Sequence, residues 1–163
     1  MELDYEHVKE MLAYDPNSGT LTWKLSRGFK AKKWDVAGYV NKLGYRVISI
    51  NDKPYFAHRI AWLLSTGEMP KLYIDHINGN PYDNRLCNLR EVTHQQNMVN
   101  RKIGKNNTSG FKGVTFNKYQ KKWQASARVN GKRIHLGYFN NPSEASSIYT
   151  EFTKKVHGEF TRE

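Results

Sequence analysis

An aspartate and a histidine stand side by side at Asp75 and His76, where the short apolar run Tyr73–Ile74 ends. Two asparagines follow at spaced positions, Asn88 in NRLCNLR and Asn97 in VTHQQN. Carboxylate and amide oxygens are hard donors, suited to a single Mg²⁺ or Mn²⁺ with positions left open for phosphate and water. A neutral imidazole beside such an ion can take a proton from water, because its pKa lies near the working pH. An activated water, charge relief at phosphorus and help for a leaving oxygen are what phosphodiester hydrolysis requires. The competing reading is turn chemistry, since Asp-His pairs and Asn-rich loops also bond their own backbone. Asn78, Asn80, Asp83 and Asn84 read as loop formers of that kind. His58 reads as a packed or DNA-side helix start rather than a catalytic residue, and Cys87 as a small buried apolar residue.

The elements around these residues form a compact frame. A short strand ends near Asp75, a loop dense in Asn, Asp, Gly and Pro follows, and Leu89 to Val92 returns as a second strand. If Asp75 ends the strand, Asp75 and His76 point to opposite faces, and the loop must turn His76 back toward a substrate. Thr93 and Gln96 make a T-x-x-Q capping box, which fixes a helix start with Asn97 in its first turn. His94, Asn97 and Arg101 then share one helical face at i, i+3 and i+7.

Upstream, residues 4–13 read as a short helix capped by Asp4, and DPNSG at 15–19 as a turn. Thr20 to Lys24, Gly38 to Asn41, Tyr45 to Ile50 and Lys53 to Ala57 read as strands, with Asn51-Asp52 a tight turn. Ser26 to Lys33 is a basic loop with Phe29 and Trp34 nearby. His58 to Ser65 reads as a helix closed by Gly67 and Pro70. Residues 104–110 are polar and Gly-bounded, the pattern of a linker.

Downstream, Lys122 to Val129 alternates, and Asn130-Gly131 is a two-residue hairpin turn. Pairing outward sets Val129 against Lys132, Arg128 against Arg133, Ala127 against Ile134, Ser126 against His135 and Ala125 against Leu136. An earlier strand, Gly113 to Lys118, adds Val114 and Phe116 to the apolar side. A helix from Pro142 to about His157, capped by Asn141, covers that side with Ala145, Ile148, Tyr149, Phe152 and Val156. The opposite face carries Arg128 directly across from Arg133, an unfavourable pairing unless an anion lies over it.

Charge points the same way. The 163 residues hold 26 Lys and Arg against 15 Asp and Glu, a net +11. Residues 1–100 carry 13 basic and 11 acidic side chains, whereas residues 101–163 carry 13 and 4. A surplus confined to the C-terminal third favours a polyanionic partner. One cysteine allows no intramolecular disulfide and no thiolate zinc cluster. The absence of an apolar run of spanning length or a signal-peptide pattern leads to the expectation of a cytoplasmic protein acting on DNA, not secreted and without a membrane or an obligatory protein partner.

The pattern Asp75-His76, Asn88, Asn97 resembles the HNH endonuclease motif in its His-Asn-Asn variant, familiar from phage and intron-encoded homing endonucleases. The stretches YDPNSGTLTWK, GYRVISI and AHRIAWLLSTGEMP resemble the region preceding that motif in phage HNH proteins. The resemblance implies a metal held by Asp75 and Asn97, a general base at His76, and Asn88 orienting that base through the loop. It implies hydrolysis that leaves a 5′-phosphate and a 3′-hydroxyl. His94 and Arg101, on the Asn97 face, are candidates for phosphate.

Residues 109–160 resemble the DNA-binding domain of the plant apetala/ethylene-response-factor family, which phage HNH enzymes sometimes carry. That domain lays its sheet in the major groove. By position, Lys112, Thr115, Asn117, Lys122, Arg128, Arg133 and His135 would contact DNA. The plant pattern prefers Arg at 115 and 117 and Trp at 135, so its target sequence does not carry over.

The expectation is thus an α+β protein. A ββα-metal HNH nuclease domain occupies 1–103, with its motif core at 73–101. A linker spans 104–110, and a three-stranded antiparallel sheet packed on one helix fills 111–163. The function expected is one-metal cleavage of double-stranded DNA, with Mg²⁺ or Mn²⁺ as cofactor. The alternatives are a non-catalytic, sequence-specific DNA-binding regulator and an RNA-binding module.

Overall fold

The computed structural model describes residues 3–28, 31–100, 103–104 and 106–158. The chain divides into two compact units, Met1–Val92 and Thr93–Glu163.

In the first unit, α1 (Tyr5–Met11) starts at Asp4, whose carboxylate accepts from the His7 amide at 3.0 Å. The helix is shorter than the expected 4–13. Leu12 is already extended, because residues 12–15 are captured by a hairpin: β1 (Leu12–Asp15) pairs antiparallel with β2 (Thr20–Trp23). The Asp15–Gly19 turn joins them, with Asp15 accepting from the Asn17 amide and the Ser18 hydroxyl. A second sheet orders β3 (Tyr39–Val40), β4 (Arg46–Ile50) and β5 (Lys53–Phe56). Asn51 and Asp52 both take positive φ, 49° and 60°, as a two-residue turn between twisted strands requires. The helix α2 (Ala57–Thr66) ends on Gly67 at φ 83°. The core of this unit joins Val8, Leu12, Leu21, Trp23, Ile48, Ile50, Ile60 and Leu63 to Leu89. Leu89 lies in β7 (Leu89–Val92), which pairs with β6 (Tyr73–His76). Leu89 from β7 and Ile74 from β6, packed against the same cluster, seat the ribbon on the apolar body.

The second unit begins with α3 (His94–Asn100). The capping box forms as expected: the Thr93 amide donates to Gln96 Oε1 at 2.8 Å, and the Gln96 amide to Thr93 Oγ1 at 3.3 Å. Asn107 and Ser109, in the stretch read as a linker, bond to the chain just ahead of the next sheet and to its first residue. Asn107 donates to the Phe111 carbonyl, and Ser109 to the Val114 carbonyl at 2.8 Å. The sheet orders β8 (Val114–Asn117), β9 (Lys122–Val129) and β10 (Lys132–Phe139) with β9 central. The expected register holds from Lys132 to His135 and then breaks. A bulge at Leu136 sets Gly137, not Leu136, opposite Ala125. Gly137 has φ 139°, and a Cβ there would meet the Phe139 ring at 2.9 Å, so the bulge is built for glycine.

The helix α4 (Pro142–His157) covers the sheet. Asn141 caps it by accepting from the Glu144 amide at 2.8 Å. Ala145 is buried with Val114 and Ala125, and Phe111, Trp123, Leu136 and Phe139 pack around them. Val156, expected inward, is 42% exposed, and Thr153 is buried instead. Ala145, Tyr149 and Thr153 form one i, i+4 row, and Val156 has rotated off it. The Thr153 hydroxyl is satisfied by the Tyr149 carbonyl at 2.9 Å. Phe116 lies on the apolar side by register, yet it is 48% exposed on the edge strand, with the Trp123 ring against it at 5.2 Å.

Candidate active site

β6 runs through His76, so the strand itself, not the loop beyond it, aims both motif side chains. Asp75 pairs with Arg90 across the ribbon, and His76 pairs with Leu89. Cross-strand partners share a face, so Asp75 faces with Arg90 and His76 faces inward with Leu89. Arg90 donates from Nε and Nη2 to Asp75 Oδ2, both at 3.1 Å, and both side chains are largely shielded from water.

His76 is 5% exposed. Its ring meets the edge of His58 at 5.1 Å and tilts against Tyr45 at 6.0 Å. His58 in turn stacks on Phe56 at 5.3 Å, with 9° between the planes. Burial pushes the His76 pKa down, and the Asn84 hydrogen bond, Asp75 and Asp83 pull it partly back. The ring is therefore neutral at pH 7, the state a general base needs. His58 is held lower still, at about 3, by burial first and then by the neighbouring charges of His76 and Arg59.

The 77–88 loop is a chain of side chain–backbone bonds. Asn78 Oδ1 accepts from the Asn80 amide at 2.8 Å, and Asn80 Oδ1 from the Tyr82 amide at 3.1 Å. Asp83 accepts from Asn78 Nδ2 at 2.8 Å and from Arg85, which holds its carboxyl down at about 2. Asn88 closes the loop from inside. Its Oδ1 accepts from the Asn78 amide at 2.9 Å, and its Nδ2 donates to Asn78 Oδ1 at 3.1 Å and to the Asp83 carbonyl at 2.8 Å. Asn88 thus grips the loop on both sides. The side chain that reaches the His76 ring is that of Asn84, 3.2 Å from Nε2. Cys87, expected to be buried, is exposed, because the 3₁₀ turn Leu86–Asn88 turns it outward while it buries Asn88.

The residues whose part in the site sequence reasoning passed over are therefore Asn84, Arg90 and His58. The one signal for Arg90 was its place opposite Asp75 once 73–76 is paired with 89–92. Asn84 carried no signal beyond its turn-forming type. Asn97 lies in α3, its amide bonded to the Thr93 carbonyl at 3.0 Å. Arg101 lies outside the described residues, as do Phe29 and Lys30 of the basic loop.

The donor chemistry fits a hard cation. Asp75 offers carboxylate oxygens, and a carboxylate has about four lone-pair sites, enough for a guanidinium and an ion together. Among the described residues no three His, Cys, Asp or Glu side chains gather in one metal-holding group.

On the second unit, Arg128 and Arg133 face each other in register, both exposed. Arg133 Nε donates to Ser126 Oγ at 3.1 Å, and Gln124 Nε2 lies 3.1 Å from His135 Nδ1. Thr115 pairs with Gln124, and Asn117 with Lys122, so these residues share the polar face. Asn117 is already employed, because its Oδ1 accepts from the Tyr119 and Gln120 amides, both at 3.0 Å. Lys112 precedes β8 and is half-buried, and His94 is exposed at the start of α3.

Residues 55–99 match the HNH endonuclease family. Protein 3.8 of Escherichia phage T7 is 35% identical over 106 residues, which cover 64% of this chain and 87% of that protein. An uncharacterized HNH endonuclease, L560 of Acanthamoeba polyphaga mimivirus, is 30% identical over 133 residues, covering 78% of this chain and 68% of that protein. A solved structure concerned with DNA binding and cleavage by the HNH homing endonuclease I-HmuI aligns over 96% of this chain and 91% of that one, at 19% identity and a TM-score of 0.44. The ribbon, the locked loop and the capped helix thus coincide with the matched stretch, and the chain belongs to the HNH endonuclease family.

Proposed function

We propose that this protein is a DNA endonuclease that hydrolyses phosphodiester bonds in duplex DNA, with His76 as the general base. The observation that carries the reading is the His76 imidazole. It is kept neutral by burial, gripped by neighbouring rings, and adjacent in the strand to a carboxylate that pairs with Arg90. A base so enclosed acts on one admitted water rather than on bulk solvent. The motif assigns Asp75 and Asn97 to one divalent cation, Mg²⁺ or Mn²⁺. When bound, that ion supplies charge relief at phosphorus and help for the leaving oxygen. Asn88 serves by holding the loop in shape.

Residues 111–163 would act as the reader that positions the cutting domain of residues 1–103, with 104–110 between them. Its contacts would come from Thr115, Lys122, Arg128, Arg133 and His135 on the sheet face, with Lys112 and Asn117 as further contacts; His94, on the helix that carries Asn97, and Arg101 would add phosphate contacts. An exposed, in-register arginine pair is costly without an anion, and a phosphate relieves it.

A second reading, a DNA-binding regulator that does not cut, is favoured by the 5% exposure of His76. Supercoiled plasmid separates the two. The full chain with Mg²⁺ or Mn²⁺ should convert it to nicked or linear form, and EDTA or His76→Ala should abolish conversion while DNA binding persists. No conversion with either metal, or equal cutting by His76→Ala, overturns the nuclease assignment as stated.

A further inference from the structure

Asn84 is held at three points, two of them by the far N-terminal hairpin. The Tyr14 hydroxyl, in β1, donates to the Asn84 carbonyl at 2.8 Å across 70 residues of chain. The turn between β1 and β2 presses on the same residue. Gly19 has φ 73°, and a Cβ there would lie 2.6 Å from the Asn84 carbonyl carbon and 2.5 Å from the Arg85 nitrogen. The Asn84 side chain is the third point. The residue is 3% exposed, with Nδ2 3.5 Å from the Tyr82 carbonyl and Oδ1 3.2 Å from His76 Nε2.

An amide oxygen only accepts. With Nδ2 directed at the Tyr82 carbonyl, Oδ1 faces the imidazole, and Nε2 must carry the hydrogen. A neutral imidazole has one N–H, so Nδ1 is left with the bare lone pair. Among the described residues Asn84 is the ring's only hydrogen-bond partner.

We propose that Asn84 is a positioning residue that fixes His76 in the Nε2–H tautomer, so that Nδ1 is the atom that accepts the proton, and that the β1–β2 hairpin holds Asn84 in place for this task. The inference rests on His76 being the general base. In the step itself a water O–H bond breaks and the proton forms an Nδ1–H bond; the water oxygen's electron pair forms a bond to phosphorus as the P–O bond to the leaving oxygen breaks, its electron pair staying on that oxygen. The ring becomes an imidazolium, and its Nε2–H bond to Asn84 turns into a charge-assisted one, stronger than before. Asn84 therefore holds the ring more tightly after proton uptake than before it, as transition-state stabilisation requires.

The test uses the ¹⁵N-labelled full chain and long-range ¹H–¹⁵N correlation of the histidine rings above neutral pH. The expected pattern for His76 is a protonated Nε2 and a bare Nδ1. The opposite tautomer, or an even mixture, overturns the proposal on the wild-type protein alone. Asn84→Leu keeps the bulk and removes the acceptor, whereas Asn84→Asp keeps an accepting oxygen. Asn84→Leu should release the tautomer and slow single-turnover plasmid cleavage by roughly tenfold to a hundredfold, the usual loss for a removed orienting partner. DNA affinity should hold, and Asn84→Asp should keep the tautomer and restore most of the rate. If Asn84→Leu fails to fold, the wild-type tautomer and Asn84→Asp still decide. An inactive His76→Ala beside a fully active Asn84→Leu overturns this inference alone. An active His76→Ala overturns the base assignment and this inference with it.

Discussion

His58 makes the first unit acid-sensitive in a way that can be worked out in advance. The residue is 7% exposed, stacked on Phe56 and set against the His76 edge, and its pKa is pushed from the ordinary 6.5 down to about 3. Burial is the main cause, with the charges of His76 and Arg59 adding to it. In the unfolded chain the ring titrates normally. Between pH 6.5 and about 3 the unfolded state therefore binds a proton that the folded state refuses, and stability falls as pH falls. The contribution is complete above pH 6.5 and gone below about pH 3. At about 1.4 kcal/mol per pH unit, roughly 2 kcal/mol has been lost by pH 5, a sizeable part of an ordinary domain's stability.

The assay is urea unfolding from pH 8 to pH 5 at constant ionic strength, in wild type and His58→Phe, both carrying Trp123→Phe. The remaining tryptophans, Trp23, Trp34 and Trp62, all lie in residues 1–92, so fluorescence reports the first unit without the second. Phenylalanine keeps a flat ring against Phe56 and cannot titrate. The wild-type curve should drop by roughly 2 kcal/mol more than the variant's between pH 8 and pH 5. Two parallel profiles would mean that the folded state protonates His58 freely, so that burial does not set the charge of this ring. An NMR titration of His58 in the folded protein answers the same question directly, since it should show no midpoint near 6.5.

Three further outcomes follow from the packing. Replacing Arg128 and Arg133 by alanine should flatten the dependence of log K on log salt by about 1.8, from about 0.9 per phosphate contact, and an unchanged slope would remove that face from the interface. Asn88→Ala breaks three hydrogen bonds inside the loop and should cost about 2–4 kcal/mol, with faster amide exchange at Asn78; a loss under about 0.5 kcal/mol would show that the loop holds itself. Gly137→Ala places a Cβ against Phe139 at a positive φ and should lower the second unit's stability by more than about 1 kcal/mol, as thermal unfolding followed by the NMR signal of the Trp123 indole N–H would show, whereas a neutral result would mean that the bulge relaxes.

What the sequence made legible was set by distance along the chain. The T-x-x-Q box, the Asn130-Gly131 turn and the Asn141 cap each depend on residues a few positions apart, or on one alternating pattern, and each formed as read. The first failures were local competitions. Residues 12 and 13 fitted a helix until their pairing with 22 and 23 was in hand, and the Ala125–Leu136 pairing held only if β10 had no bulge. The deeper failure was at the candidate site. Asn84 was read as a turn former because its type says so, and its backbone does sit in a turn. Its contact with His76 spans eight residues of irregular loop, and its anchor on Tyr14 spans seventy. No periodicity encodes either one.

A catalytic motif of four residues needs so much chain around it for the same reason. His76 is useful as a base only if the ring is neutral and one chosen nitrogen is bare. Neutrality comes from burial: the Tyr45 and His58 rings meet His76, and Phe56 stacks on His58, carried by β4's approach, the start of α2 and β5. The choice of nitrogen comes from Asn84, which Tyr14 and Gly19 pin through its backbone. These supports share no sequence signature with the motif, because what they supply is burial and one accepting oxygen, which many residue types at many positions can provide. Matching the motif therefore identifies the family, whereas the state of the histidine is decided by residues that the motif does not contain.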